Sequence, residues 1–162
     1  MTELSPQLVA DSRASVVRLM EPTDANFTGT VFGGEILAKI DPVAYFTATR
    51  HSKLTRVTTS FDRVNFLSPV HDGQIVEFDA ALTSVGRSSM EISVEVRTEG
   101  LKQGRSRFVG RAFVSMVGVD ERSRPEPIPP LELTNEDERR LFEEGRQRME
   151  ARRHSRTRDV GV

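Results

Sequence analysis

Gly33-Gly34-Glu35-Ile36-Leu37-Ala38-Lys39-Ile40-Asp41-Pro42-Val43-Ala44-Tyr45-Phe46-Thr47-Ala48-Thr49-Arg50 is the stretch on which the fold turns. Ile36, Leu37, Ile40, Ala44 and Ala48 recur at helical spacing, which predicts a helix over about residues 33–50. Its small and apolar residues are dense enough for the helix to be largely buried. A lone helix of that length must cover its apolar face with a sheet.

The flanking sequence supplies that sheet. Before the helix, Val16, Val17, Leu19 and Met20 form a short apolar run that reads as a strand. A loop over 21–31 follows, with Pro22, Asp24, Asn26 and Gly29 as turn-formers. After the helix the period becomes two. Thr55 to Phe61 is rich in β-branched residues, and Phe66 to Val70 leads into a turn at His71-Asp72-Gly73. Val76, Phe78, Ala80 and Leu82 then alternate with Glu77, Asp79, Ala81 and Thr83, a strand with one wet face. Past a turn over 84–89, Met90, Ile92, Val94 and Val96 alternate with Glu91, Ser93, Glu95 and Arg97. A polar hairpin over 99–106 precedes a last long strand over 107–119. Short turns between successive strands predict antiparallel pairing. The expectation is an α+β fold, a curved antiparallel sheet around one central helix, with open edges that pairing across a dimer would close.

Around that body, residues 1–12 read as a flexible N-terminus and 13–120 as the domain. Pro125, Pro127, Pro129 and Pro130 make 121–133 a stiff extended linker. Thr134 to Asp137 resembles a capping box that opens a helix over 134–153. That helix balances six acidic against six basic residues, with Glu136–Arg140 and Glu144–Arg148 at i,i+4 spacing. Its apolar residues are few (Leu141, Phe142 and Met149), so it is expected to rest lightly on the body; a partner or subunit contact is the other reading. Residues 154–162 read as a disordered tail.

Composition narrows the chemistry. With 162 residues, one domain with a tail is expected. The formal net charge of -1 gives no pull toward nucleic acid or an acidic membrane. Arg152, Arg153, Arg156 and Arg158 have no interleaved aromatics and read as a solvated terminus, so no nucleic-acid partner is expected. The absence of cysteine excludes disulfides, thiolate nucleophiles and cysteine–zinc sites. No signal-like run or membrane span is visible, and a cytoplasmic location is expected. His51, His71 and His154 lack metal-ligand spacing, so no metal is expected; His51 reads as a stabilising residue at the helix end. A nucleophile elbow, a P-loop and a dinucleotide fingerprint are all missing.

Two features could carry chemistry. Gly33-Gly34 at a helix start would leave backbone N–H groups bare, suited to an anion or a polarised carbonyl oxygen. The same pair could be only a tight turn packed on the sheet. Asp41 shares a face with Leu37, Ala44 and Ala48, where a carboxylate costs free energy unless paired or used. Partial burial there would make it a stronger base. The alternative is structural. A proline inside a helix costs about 3 kcal/mol, so Asp41-Pro42 could instead cap a restarted helix.

Asn26, Gly29, Phe32-Gly33-Gly34 and Asp41 together resemble the acyl-CoA hydrolase subfamily of the hotdog thioesterases. Three further stretches are similar to it: Arg56 to Asp62, Phe66 to Gly73, and Val85 to Glu91. The resemblance covers about residues 12–120, with Pro42 and Ser88 as departures. It implies a hotdog fold and hydrolysis of acyl-CoA to a free acid and CoA, with no cofactor. The N–H groups of Gly33 and Gly34 would hold the carbonyl oxygen. Asp41 would act as general base or nucleophile, and Asn26 would orient the water or the thioester. The resemblance further implies one site built from Asn26 of one subunit and Asp41 of another, in a homo-oligomer that is a dimer or a trimer of dimers. Contacts to CoA fall to Arg56, Val57, Ser60, Gly86, Arg87, Ser88 and Ser89; the arginines and hydroxyls read equally as exposed strand-end residues. The acyl chain would lie against the apolar helix and sheet. Two rivals are kept: an acyl-CoA-binding regulator, which needs an output module, and an enoyl-CoA hydratase, which wants a histidine beside the acid, where His51 stands poorly.

Overall fold

The computed structural model describes residues 4–53, 55–99, 104 and 106–159. The chain begins with β1 (Gln7–Leu8), α1 (Val9–Ser12) and β2 (Ala14–Leu19). The long helix α2 (Gly33–Ser52) is followed by β3 (Thr55–Phe66), β4 (Ile75–Val85), β5 (Ser89–Glu99) and β6 (Ser106–Val119). β7 (Leu131–Glu132) and α3 (Glu136–Asp159) complete it. The main sheet has the order β2-β4-β5-β6-β3 with every neighbouring pair antiparallel, so β2 and β3 are its edges.

The predicted wrap of sheet around helix is present. Ile36, Ile40, Val43, Ala44 and Ala48 of α2 are buried against Val76, Phe78, Ala80, Ile92, Val94, Val114 and Met116. Each of the Val, Ile, Met and Phe side chains contributes roughly 1.5–3 kcal/mol on burial. The small residues Ala44 and Ala48 let the helix sit close to the sheet. Pro42 does not divide the helix. α2 is continuous through it, and Asp41 is therefore an interior residue, not the cap of a second helix. Pro42 is exposed, which puts the lost hydrogen bond on the side open to water.

Four expectations need correction. The segment before residue 13 is not loose: Gln7 and Leu8 pair in parallel with Leu131 and Glu132, and Val9 and Ser12 are buried. Thus the proline linker is held by the N-terminal segment. Second, α3 is opened by Asn135, whose Oδ1 accepts the Glu138 N–H at 2.9 Å, while Glu138 reaches back to the N–H and hydroxyl of Thr134. Glu136 pairs with Arg139 and not with Arg140, whereas the Glu144–Arg148 pair is present at 4.0 Å. Third, the helix runs on to Asp159, through residues expected to be disordered; 160–162 lie outside the described residues.

Fourth, α3 does not rest lightly. It is anchored on the outer face of the sheet by Glu91, a carboxylate 0% exposed. Glu91 accepts hydrogen bonds from Thr83 Oγ1 at 2.7 Å, Arg148 Nη2 at 2.8 Å and Arg152 Nη2 at 2.7 Å. Arg152 also pairs with Asp62, and the Arg148 guanidinium lies over the Phe113 ring at 3.9 Å. Gly145 is the point of closest approach: a Cβ there would sit 2.7 Å from Ser84 Cβ and 2.9 Å from Glu91 Oε1. His51 lies in the last turn of α2, as expected, but inside the protein. It is 0% exposed, with Nε2 2.8 Å from the Pro129 carbonyl oxygen, tying the linker to α2.

Candidate active site

The loop before α2 is shaped by its own polar side chains. Asn26 Oδ1 accepts the Thr28 N–H at 2.9 Å, the Thr28 hydroxyl at 2.6 Å and the Thr30 N–H at 3.1 Å. This is the local turn that Asn side chains favour. Gly29 closes it at φ 75°, a conformation that suits glycine. Because its carbonyl oxygen is used inside the loop, the group Asn26 can offer a substrate is its amide NH2.

α2 then begins at Gly33 with Phe32 as its cap and no side-chain cap bond. Among the described residues the N–H groups of Gly33 and Gly34 meet no acceptor. Both glycines are exposed, and nothing lies within 4 Å of a Cβ built on Gly34. A bare helix start of this kind attracts a partial negative charge.

Asp41 stands eight residues further on, about 12 Å along the axis at 1.5 Å per residue. It is half-buried, and its Oδ1 accepts the hydroxyl of Thr58 on β3 at 2.8 Å. Thr58 was not singled out from sequence; it was one β-branched residue among several in its strand. A bulge at Thr59 shifts the register there, so that Thr58 pairs with buried Met116 while Ser60 pairs with Ser115 on the other face. Such bulges re-aim side chains. Within this chain, therefore, Asn26 and the glycine pair sit at one end of α2, and Asp41 with Thr58 sits in its middle.

The residues expected to meet CoA divide into groups. Ser60, Ser88 and Ser89 come together with Thr59, Ser115, Arg152 and Arg153 around one cavity of 460 Å³, between the outer sheet face and α3. Among the described residues the hydroxyls of Ser60 and Ser115, buried there, meet no hydrogen-bond partner, an unusual condition for buried polar groups. Gly86 forms the tight hairpin beside them, where a Cβ would lie 2.8 Å from Ser89 Oγ. Arg87 is exposed and lines a separate cavity with Pro127, Ile128 and Phe142. Val57 is exposed on the edge strand, and the side chain of Arg56 lies outside the described residues. The arginines from α3 had no signal in sequence beyond their charge.

Apolar side chains are exposed on the same elements: Phe27 and Phe32 around the loop, Tyr45 and Phe46 on α2, Val57, Phe61 and Phe66 on β3. So many on one set of elements mark an interaction surface. No described helix is long and apolar enough to cross a membrane, and among the described residues no group of three or more acidic or histidine side chains could hold a metal.

A profile of the thioesterase superfamily matches residues 28–109. A mouse cytosolic acyl coenzyme A thioester hydrolase is 34% identical over 158 residues, covering 94% of this chain and 41% of the mouse protein. The chain thus spans about two-fifths of that relative's length. An uncharacterised acyl-CoA thioester hydrolase of Bacillus subtilis is 35% identical and is matched over 77% of its length and 82% of this chain. The crystal structure of an apo-hexameric acyl-CoA thioesterase superposes with a TM-score of 0.89 at 37% identity, covering 98% of this chain and 100% of that one.

Proposed function

Since the chain belongs to the thioesterase superfamily, among the acyl-CoA thioester hydrolases of the hotdog fold, we propose that it hydrolyses acyl-CoA to a free acid and CoA at a site shared by two copies of itself. The observation that carries the chemistry is the hydrogen bond from Thr58 to Asp41, which fixes a half-buried carboxylate on an otherwise apolar helix face. Asp41 takes a proton from water as that water attacks the thioester carbonyl, or attacks it directly to give a mixed anhydride that water then cleaves to the free acid. The carbonyl oxygen gains negative charge in that step and is met by the N–H groups of Gly33 and Gly34. The Asn26 amide orients the water or the thioester. The CoA sulfur leaves as thiol, taking up the proton that the attacking water gave to Asp41.

Distance supports the sharing of the site. Reacting groups must come within about 3–3.5 Å, and one chain holds its glycine pair about 12 Å from its own Asp41 along the helix. A second copy, seated on the exposed apolar side chains and the free edge of β3, can bring its Asp41 to the first copy's helix start. The hexamer formed by the related thioesterase supports a trimer of such dimers. The serine-lined cavity under α3 suits the polar, phosphate-bearing part of CoA, with Arg152 and Arg153 added to the set. The burial of His51 against Pro129 speaks for hydrolysis over hydration, which wants a histidine beside the acid. The cytosolic naming of the mouse relative supports a cytoplasmic location.

Purified protein given acyl-CoA and a thiol-reactive dye is expected to release CoA. Asp41→Asn should lower kcat about 100- to 10,000-fold, the usual contribution of a positioned general base, with the fold retained by circular dichroism. Unchanged turnover in that variant would remove Asp41 from the mechanism.

A further inference from the structure

Beside Gly33 lies a second cavity, of 240 Å³, lined by Val31, Ile36, Phe66, Leu67, Pro69 and Val70, with Thr30 and Ser68 as its polar members. Its floor is closed, because Val31, Ile36 and Val70 are 5%, 3% and 2% exposed. One wall is the Phe66 ring, whose Cε2 lies 3.3 Å from a Cβ built on Gly33, so the ring rests against the glycine where the helix starts. No charged side chain contributes to the lining, in contrast to the arginine-bearing cavity under α3.

We propose that this slot takes the acyl chain of the substrate and sets its length, favouring short and medium chains. The inference rests on the hydrolase reading above. A thioester has one apolar arm and one anionic arm, and they leave the carbonyl carbon in different directions. An uncharged, β-branched slot that opens at the carbonyl-binding glycine matches the apolar arm. A phosphate would find no cation among the side chains that line it, Arg107 being spent on the Pro69 carbonyl oxygen at 2.7 Å. Room then limits length. A benzene ring fits an apolar cavity of about 150 Å³, so 240 Å³ has room for about ten carbons at the same packing. The buried floor leaves a longer chain no straight path through the core. Ile36 and Val70 are the residues that end the slot.

The test is a chain-length series on the native oligomer, acetyl- to palmitoyl-CoA, read as kcat/KM by CoA release. Efficiency should rise to about eight or ten carbons and fall at least tenfold by sixteen, since each methylene a pocket cannot seat costs about tenfold or more. Ile36→Val, one methyl smaller, should move the fall to longer chains. Val70→Phe should move it to shorter ones, and its octanoyl-to-acetyl ratio should drop about tenfold. CoA release with a flat profile through palmitoyl, or with a fall that neither substitution moves, would overturn this inference alone. No CoA release from any ester would overturn the hydrolase reading and this inference with it.

Discussion

Thr58 and Asp41 form the smallest unit on which the chemistry depends. A hydrogen bond to a charged group contributes about 1.5–3 kcal/mol, enough to keep the Asp41 carboxylate in one rotamer. Thr58→Val keeps the shape and removes the donor. It should lower kcat about tenfold or more while KM changes little, and Thr58→Ser should recover most of the loss; a valine variant with full kcat would make the contact merely structural. Glu95 offers a second test, of pH. Burial alone pushes its carboxyl up, but hydrogen bonds from Arg111 and Arg97 and their charges hold it below the ordinary glutamate range. A lowered folded value means stability present above the unfolded value of about 4.3 and lost as pH falls through the folded one. In urea unfolding, the wild type should lose more free energy between pH 5 and pH 3 than Glu95→Gln does; parallel losses would contradict this. The reading of residues from sequence was uneven for a physical reason. Asn26, Gly33, Gly34 and Asp41 lie close along the chain, so one stretch carries the family resemblance that singled them out. Thr58 reaches Asp41 only through tertiary structure, and the bulge at Thr59 breaks the alternation by which a strand's faces are read.

At the scale of elements, α3 carries the main surprise. Its balanced charge suggests a solvated rod, yet Arg148 and Arg152 converge on a single buried carboxylate. Composition cannot show this, because Glu91 occupies the wet phase of the clearest alternating strand, and only the docked helix makes that face dry. Breaking one partner of a buried ion pair costs about 3–5 kcal/mol, so Arg148→Ala should lower the unfolding free energy by about 3 kcal/mol. Gly145→Val, which overfills the contact with Ser84 and Glu91, should cost about 1–3 kcal/mol by overpacking. Both should leave the chemical step intact and be read by denaturant unfolding. If neither lowers stability, α3 is not anchored as described. The central helix and strands β4 and β5, by contrast, were legible from their periods of 3.6 and 2, because each has a buried face; β3, with no buried residue among those described, was read from its β-branched composition alone. Pro42 was the ambiguous residue, and its exposure explains how the helix continues past it.

For the whole molecule, the sheet ends at an exposed edge strand, β3, flanked by exposed aromatic side chains. The open edges predicted from sequence are there, and their closure by a second copy is what the proposed chemistry requires. The most direct measurement is complementation. Asn26→Ala and Asp41→Ala chains, co-expressed with different tags and purified as mixed oligomers, each lack one half of every site they would form alone. In a mixed pair the shared-site account places both lesions in one site and leaves the other whole. It therefore predicts recovery toward half the wild-type activity per pair, well above either parent alone. Mixed oligomers as inactive as the parents would show that both residues must act from the same chain.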